Sequence, residues 1–261
     1  MRVVGVTSVG DELFLLLCRN EDQVAVYSTN DYKLLRHLSV PECNPDGIYS
    51  DITSCVRRKC LYMSDCHNRC IHRYALSSSA TSKWPLSFKP FSLSVTPNGN
   101  LLVVCCDPKL VELSAESGKQ VREISLQEDI KELGHGIQLA NGQFVVCHGY
   151  FSDPHRVCMV DDDGRVTHSY CGKEGSGDRQ LKAPLHLAVD EDSQLIFVAN
   201  SCNNRVVELS PTMEFVRYIS ERVYRPHRLH LDQSTRRLYV ARNKCGVIVP
   251  RDNSDIIVIQ L

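Results

Sequence analysis

The chain has 261 residues, 43% of them hydrophobic and 23% charged, and its 30 Lys and Arg against 31 Asp and Glu give a formal net charge of −1. A chain of this length can bury a sizeable core within one domain, and its near-zero charge excludes a global field for nucleic acid or an anionic membrane surface. Apolar runs such as "ELFLLLC" fall far short of the ~18 residues of a membrane span, so no membrane partner is expected. Gly10, Asp11 and Glu12 interrupt the N-terminal run where a signal peptide would continue. Thirteen cysteines at no regular spacing read as reduced thiols in a cytoplasmic chain.

In chain order, the first unit opens on "VVGVTS", returns through "LFLLL" and "VAVYST", and closes on the more polar "LLRHLSV". The second reads "SDITSC", "LYMSD" and "CIHRYAL", and the third reads "FSLSVT", "LLVVC", "LVELS" and "VREISL". The fourth follows with "HGIQLA", "QFVVC", "RVCMVD" and "RVTHSYC", and the fifth with "LHLAVD", "IFVAN", "VVELS" and "EFVRYIS". The sixth has only "RLHLDQ", "LYVAR" and "IIVIQL". Short β-branched and aromatic runs between turn residues predict strands, and Asn98-Gly99 and Asn141-Gly142 predict tight hairpins.

The second strands place Phe14, Tyr62, Leu102, Phe144, Phe197 and Tyr239 at one recurring position, with a period of about 45 residues. Four strands per repeat, six times over, predict an all-β, six-bladed β-propeller. It forms a single domain over 1–261, with blades at approximately 1–44, 45–87, 88–130, 131–180, 181–224 and 225–261. No helical period is sustained, which excludes helical solenoids. The last blade is expected to lack one strand. Either it has three, or the chain is part of a longer one that covers the open edge.

The glycine-dense "GKEGSGDRQLKAP" invites comparison with a phosphate loop. Its spacing is not GxxxxGK[ST] and no helix follows it, so the anion-binding helix N-terminus is missing. It is instead the linker from an outer strand to the next inner strand, whose glycines are expected to supply positive φ angles. Trp84 is expected in the core.

Continued through "LHLAVDEDSQLIFVANSCNNRVVELS", this stretch resembles an NHL repeat, with its Gly-rich linker, P-x-G-I-A-V-D, V-Y-V-A-D strand and N-x-R-I. "LYMSDCHNRCIHRYAL" resembles the second half of the same repeat, and His186 stands where the family usually has Gly. The whole chain is similar in architecture to the C-terminal domains of tripartite-motif NHL proteins. That resemblance implies a recognition module that selects targets for ubiquitin transfer or for mRNA regulation. No RING or B-box spacing occurs, so ligase activity would lie outside these residues.

The face carrying the linkers and the second-to-third-strand loops, here the top, gathers Arg179, Lys182, Arg225, Arg228, Arg242 and Lys244. Tyr224 and Phe91, with Tyr150, are candidate aromatic partners for a protein or for single-stranded RNA. The alternative is a solvated charged rim. Arg57 to Lys59 fall on the opposite face.

Aligning the inner strands puts Val3, Asp51, Ser92, Gly136, His186 and Arg228 at one level of the channel, one residue after Arg2, Ser50, Phe91, His135, Leu185 and His227. His135, His186 and His227 are candidate zinc ligands, since the amidating lyase domain related to NHL repeats holds zinc through histidines. Asp51 would then be a base and Arg228 an anion anchor, in a metal-dependent lyase or hydrolase. The other possibility is a wet polar channel without a cofactor. "CLYMSDCHNRCIH" brings Cys60, Cys66, His67, Cys70 and His72 close in sequence, but no second ligand pair is evident, which favours apolar core cysteines. No nucleophile, base and orienter share an informative spacing, so a non-catalytic module is favoured. Oligomeric state is left open.

Overall fold

The computed structural model describes residues 2–18, 23–45, 49–151, 154–171, 174–220, 223–242 and 256–261. Six antiparallel sheets follow one another round a ring, over 2–38, 52–85, 90–125, 133–170, 184–220 and 226–260. Each runs in simple up-and-down order from the axis outward. The first five have four strands, and the sixth has three among the described residues: Pro226–Asp232, Arg237–Arg242 and Ile256–Gln260. The protein is a six-bladed β-propeller. The outer strand Thr81–Pro85 of blade 2 went unread in the sequence because only Trp84 of its side chains is buried.

Each pair of neighbouring blades shares one apolar cluster. Phe14, Tyr62, Leu102, Phe144, Phe197 and Tyr239, the recurring second-strand position, are all buried. Trp84 packs on Tyr62 with ring centroids 5.5 Å apart. Between blades 6 and 1, Tyr239 and Ala241 meet Val3, Val6 and Leu15, so side-chain packing closes the ring. Polar ties reinforce this seam: Arg237 Nη1 donates to Thr29 O at 2.8 Å and His227 Nε2 to Val3 O at 2.9 Å.

The predicted hairpin glycines behave as the turn chemistry requires, with φ of 79° at Gly99 and 91° at Gly142. The blade 4 to blade 5 linker does not. Among its described residues the positive φ angles fall on Arg179 and Ala183, while Gly175 and Gly177 make room for Gln180; Gly172 lies outside the described residues. A Cβ on Gly175 would lie 1.9 Å from Gln180 Oε1, which also accepts Gly177 N at 2.9 Å. Asn200 then fastens the linker, accepting Lys182 N at 2.8 Å and donating to Gln180 O at 2.9 Å.

Blade 1 departs from the expected channel alignment. Val3 pairs with Leu17 and Gly5 with Leu16, with a register shift between them. Blades 3, 4 and 6 shift register at the same point, and there Ser92 pairs with Val104, Gly136 with Val146 and Arg228 with Ala241. Gly5, not Val3, therefore stands at their level in blade 1, and Val3, two residues earlier, lies in the apolar cluster between blades 6 and 1.

Candidate functional site

The inner strands enclose an axis with a hollow at each end. A cavity of about 700 Å³ opens at the hairpin face and one of about 520 Å³ at the top. His135 and His186 line the lower cavity and Arg228 lines the upper one. Asp51 joins them into a plug.

Leu229 N donates to His186 Nδ1 at 3.3 Å, so Nε2 carries the proton and donates to Asp51 Oδ2 at 3.3 Å. Asp51 Oδ1 accepts Ile52 N at 2.9 Å and faces Arg228 Nε at 3.2 Å, and Oδ2 also accepts Leu93 N at 3.1 Å. The remaining guanidinium arms reach Ser50 O at 2.9 Å and His227 O at 2.8 Å. His135 stacks on His186 with centroids 3.7 Å apart and donates from Nε2 to Leu93 O at 3.2 Å. Burial, together with the Arg228 charge, holds His186 well below its ordinary pKa, and burial with the His186 neighbour does the same for His135. Both rings are neutral at pH 7.

Of the three histidines singled out by sequence, two therefore meet and His227 goes elsewhere, to the blade 6–1 seam. Asp51, His135 and His186 do bring three ligand atoms within 4.8 Å of one another. Arg228 beside Asp51 opposes a further cation there, and both ring nitrogens of His186 are engaged. The same engagement denies His186 a role as general base.

The top-face residues have different surroundings. Arg225 is exposed and lies over the Tyr224 ring at 5.8 Å. Arg179 pairs with Asp178 at 3.6 Å and covers Phe215 at 5.0 Å, and Lys182 pairs with Glu174 at 2.7 Å. Arg228 and Arg242 are buried rather than on the rim. Lys244 lies outside the described residues. Phe91 does reach the upper mouth, 5.0 Å from Tyr49, and Tyr150 stands there at 4.1 Å from Phe151.

Tyr49 and Phe151 are the aromatic mouth residues not expected from the sequence, and Lys89 and Glu132 line the mouth beside them. Tyr49 is 40% exposed and Phe151 72% exposed. Their signal was an aromatic side chain within a polar linker or loop, on the same face as Phe91 and Tyr150. Elsewhere on this face Cys66 and His67 line the mouth, whereas Cys60 packs into the core between blades 2 and 3.

A ring of six sheets with a plugged axis and an aromatic upper mouth places the chain among the six-bladed β-propellers. No protein-family model matches the chain, and no curated protein does. Among solved structures, it is similar to hydrazine synthase of Kuenenia stuttgartiensis, at 11% identity and a TM-score of 0.67, over 99% of this chain and 95% of that one. It is likewise similar to a streptogramin B lyase, at 13% identity and a TM-score of 0.64, over 99% of this chain and 83% of that one. At such identities the likeness is one of fold.

Proposed function

We propose that the protein is a non-catalytic recognition module, a propeller of NHL type, whose upper mouth binds a protein partner through an apolar anchor. The observation that carries this is the group Tyr49, Phe91, Tyr150 and Phe151 around a hollow of about 520 Å³. Exposed aromatics round a concavity are the composition of a binding hot spot. Pairing of Arg179 and Lys182 with neighbouring acids weakens the case for single-stranded RNA. The resemblance to tripartite-motif NHL domains suggests a target of ubiquitin transfer as the class of partner. The alternative, a metal-dependent lyase or hydrolase in the channel, would have to displace Arg228 from Asp51 before an ion could enter.

The test is selection of a displayed peptide library against the full chain, alongside binding of a labelled oligouridine. Peptides with an aromatic or aliphatic anchor should emerge and bind at least about tenfold more weakly to a Tyr49→Ala/Phe151→Ala variant. Arg57→Glu/Arg58→Glu, on the opposite face, should leave that binding intact. Oligouridine binding that falls steeply with salt would replace the protein reading with RNA. Peptides indifferent to the mouth would overturn the assignment of the site.

A further inference from the structure

We propose that Cys43, Asp65 and His72, with Cys70 beside them, form a tetrahedral site for a zinc-type divalent ion between blades 1 and 2. The sequence showed Cys70 and His72 but not a second pair. The fold supplies the missing ligand from the incoming linker, where Glu42 turns at φ 62° and Cys43 N closes on Val40 O at 3.1 Å.

All four side chains are buried. Sulfur of Cys43, oxygen of Asp65 and nitrogen of His72 lie within 4.8 Å of one another. His72 Nε2 is 3.4 Å from Asp65 Oδ2 and 3.3 Å from Cys70 Sγ. Ordinary zinc bonds to sulfur, nitrogen and oxygen at tetrahedral angles separate ligand atoms by about 3.3–3.8 Å, so these two edges already have the right length. Cys70 stands outside that three-ligand group but with its Sγ against His72 Nε2, which makes it the fourth donor at the edge of the site.

The repeat gives a second, independent sign. His72 pairs with Met63, and the corresponding third-strand position in the other blades carries Ala25, Val111, Met159, Val207 and Ile257. Five blades place an apolar residue there. Blade 2 alone places an imidazole, at a site with a buried carboxylate and two thiols, and a buried polar group needs a compensating partner. Asp65 is oriented in the way ligating carboxylates are, by Asn68 N, Asn68 Nδ2 and Asn44 N, each at 2.9 Å.

Zinc takes cysteine as the thiolate, so each metal–sulfur bond formed releases one thiol proton to solvent. No electron changes hands.

The experiment uses the full chain, purified without a metal-binding tag and dialysed against a weak chelator. One zinc per chain by elemental analysis is expected, and replacement by Co²⁺ should give thiolate-to-cobalt charge-transfer absorption. Cys43→Ser/Cys70→Ser should lose both signals, while Cys202→Ser, exposed on blade 5, should keep them. Should the double variant fold poorly, the cobalt spectrum of the unaltered chain decides the point alone. Absence of stoichiometric zinc with no thiolate band overturns the proposal. So does metal that survives the double variant but is lost in His135→Ala, because the ion would then sit on the axis. Peptide binding at the upper mouth is a separate measurement, so neither failure can be mistaken for the other.

Discussion

Asp51 is a buried carboxylate whose two oxygens meet an arginine, an imidazole N–H and two backbone N–H groups drawn from different blades. Removing one member leaves the others buried and unmatched, which costs more than the pair contributes when intact. Arg228→Met is therefore expected to destabilise the chain by about 3–5 kcal/mol, with part of the loss recovered in the Asp51→Asn/Arg228→Met double variant. A partly solvated channel histidine would cost little on removal. The observed His186 is buried with both nitrogens bonded, and His186→Ala should instead cost about 1–3 kcal/mol. Urea unfolding midpoints measure both.

Titration at the same scale gives a second prediction. Burial holds His135 and His186 well below the usual 6.5, and brings His148 and His230 to about 4. The unfolded chain takes up protons near 6.5 while the folded chain resists them. The stabilising contribution is thus whole above about pH 6.5 and is lost as pH falls from there toward about 4, by up to about 1.4 kcal/mol per pH unit for each group. Unfolding midpoints measured downward through this window should fall. A flat profile would mean that these rings are not neutral and buried together.

At the scale of the element, the inner strands approach so closely that side chains are excluded at particular points. A Cβ on Gly134 of blade 4 would lie 2.6 Å from Leu185 O of blade 5, and backbone cannot swing aside as a side chain can. Gly134→Ala is expected to cost about 1–3 kcal/mol by forcing two blades apart. Gly99→Ala meets nothing within 4 Å and strains only its φ of 79°, at about 1 kcal/mol. Gly175→Ala should be milder than Gly134→Ala, because its obstacle is the mobile end of Gln180. Thermal midpoints of the three variants check that order. Cys106→Ser, on an exposed loop residue, serves as the unperturbed reference.

For the whole molecule, ring closure couples every blade to every other. The seam between blades 6 and 1 is held mainly by Tyr239, Ala241, Val3, Val6 and Leu15. Tyr239→Ala should cost about 3–5 kcal/mol and lower a single cooperative transition. Hydrogen exchange is the check: strands of all six blades should lose protection together. Loss confined to blades 6 and 1 would mean that the blades act as a nearest-neighbour stack, as in an open solenoid.

Blade number, the identity of most strands and the buried positions from Phe14 to Tyr239 were legible in the chain itself. Each rests on a pattern of alternation, turn residues and period contained within a few residues or one repeat. Outer strands were harder to read, since Thr81–Pro85 buries one side chain and so alternates weakly. The site was legible only in fragments. Asp51, His186 and Arg228 were visible as polar residues on inner strands, but that they neutralise one another depends on three separate blades meeting at the axis. Gly5 and not Val3 holds the channel level of blade 1, a two-residue offset that strand pairing shows and the apolar run around it does not. Tyr49 and Phe151 join Phe91 and Tyr150, and Cys43 reaches His72, because packing blade against blade brings linkers and loops of neighbouring repeats side by side. Local pattern determines which strands form; which side chains face each other across the axis and between blades is decided by register and closure, which are properties of the assembled ring.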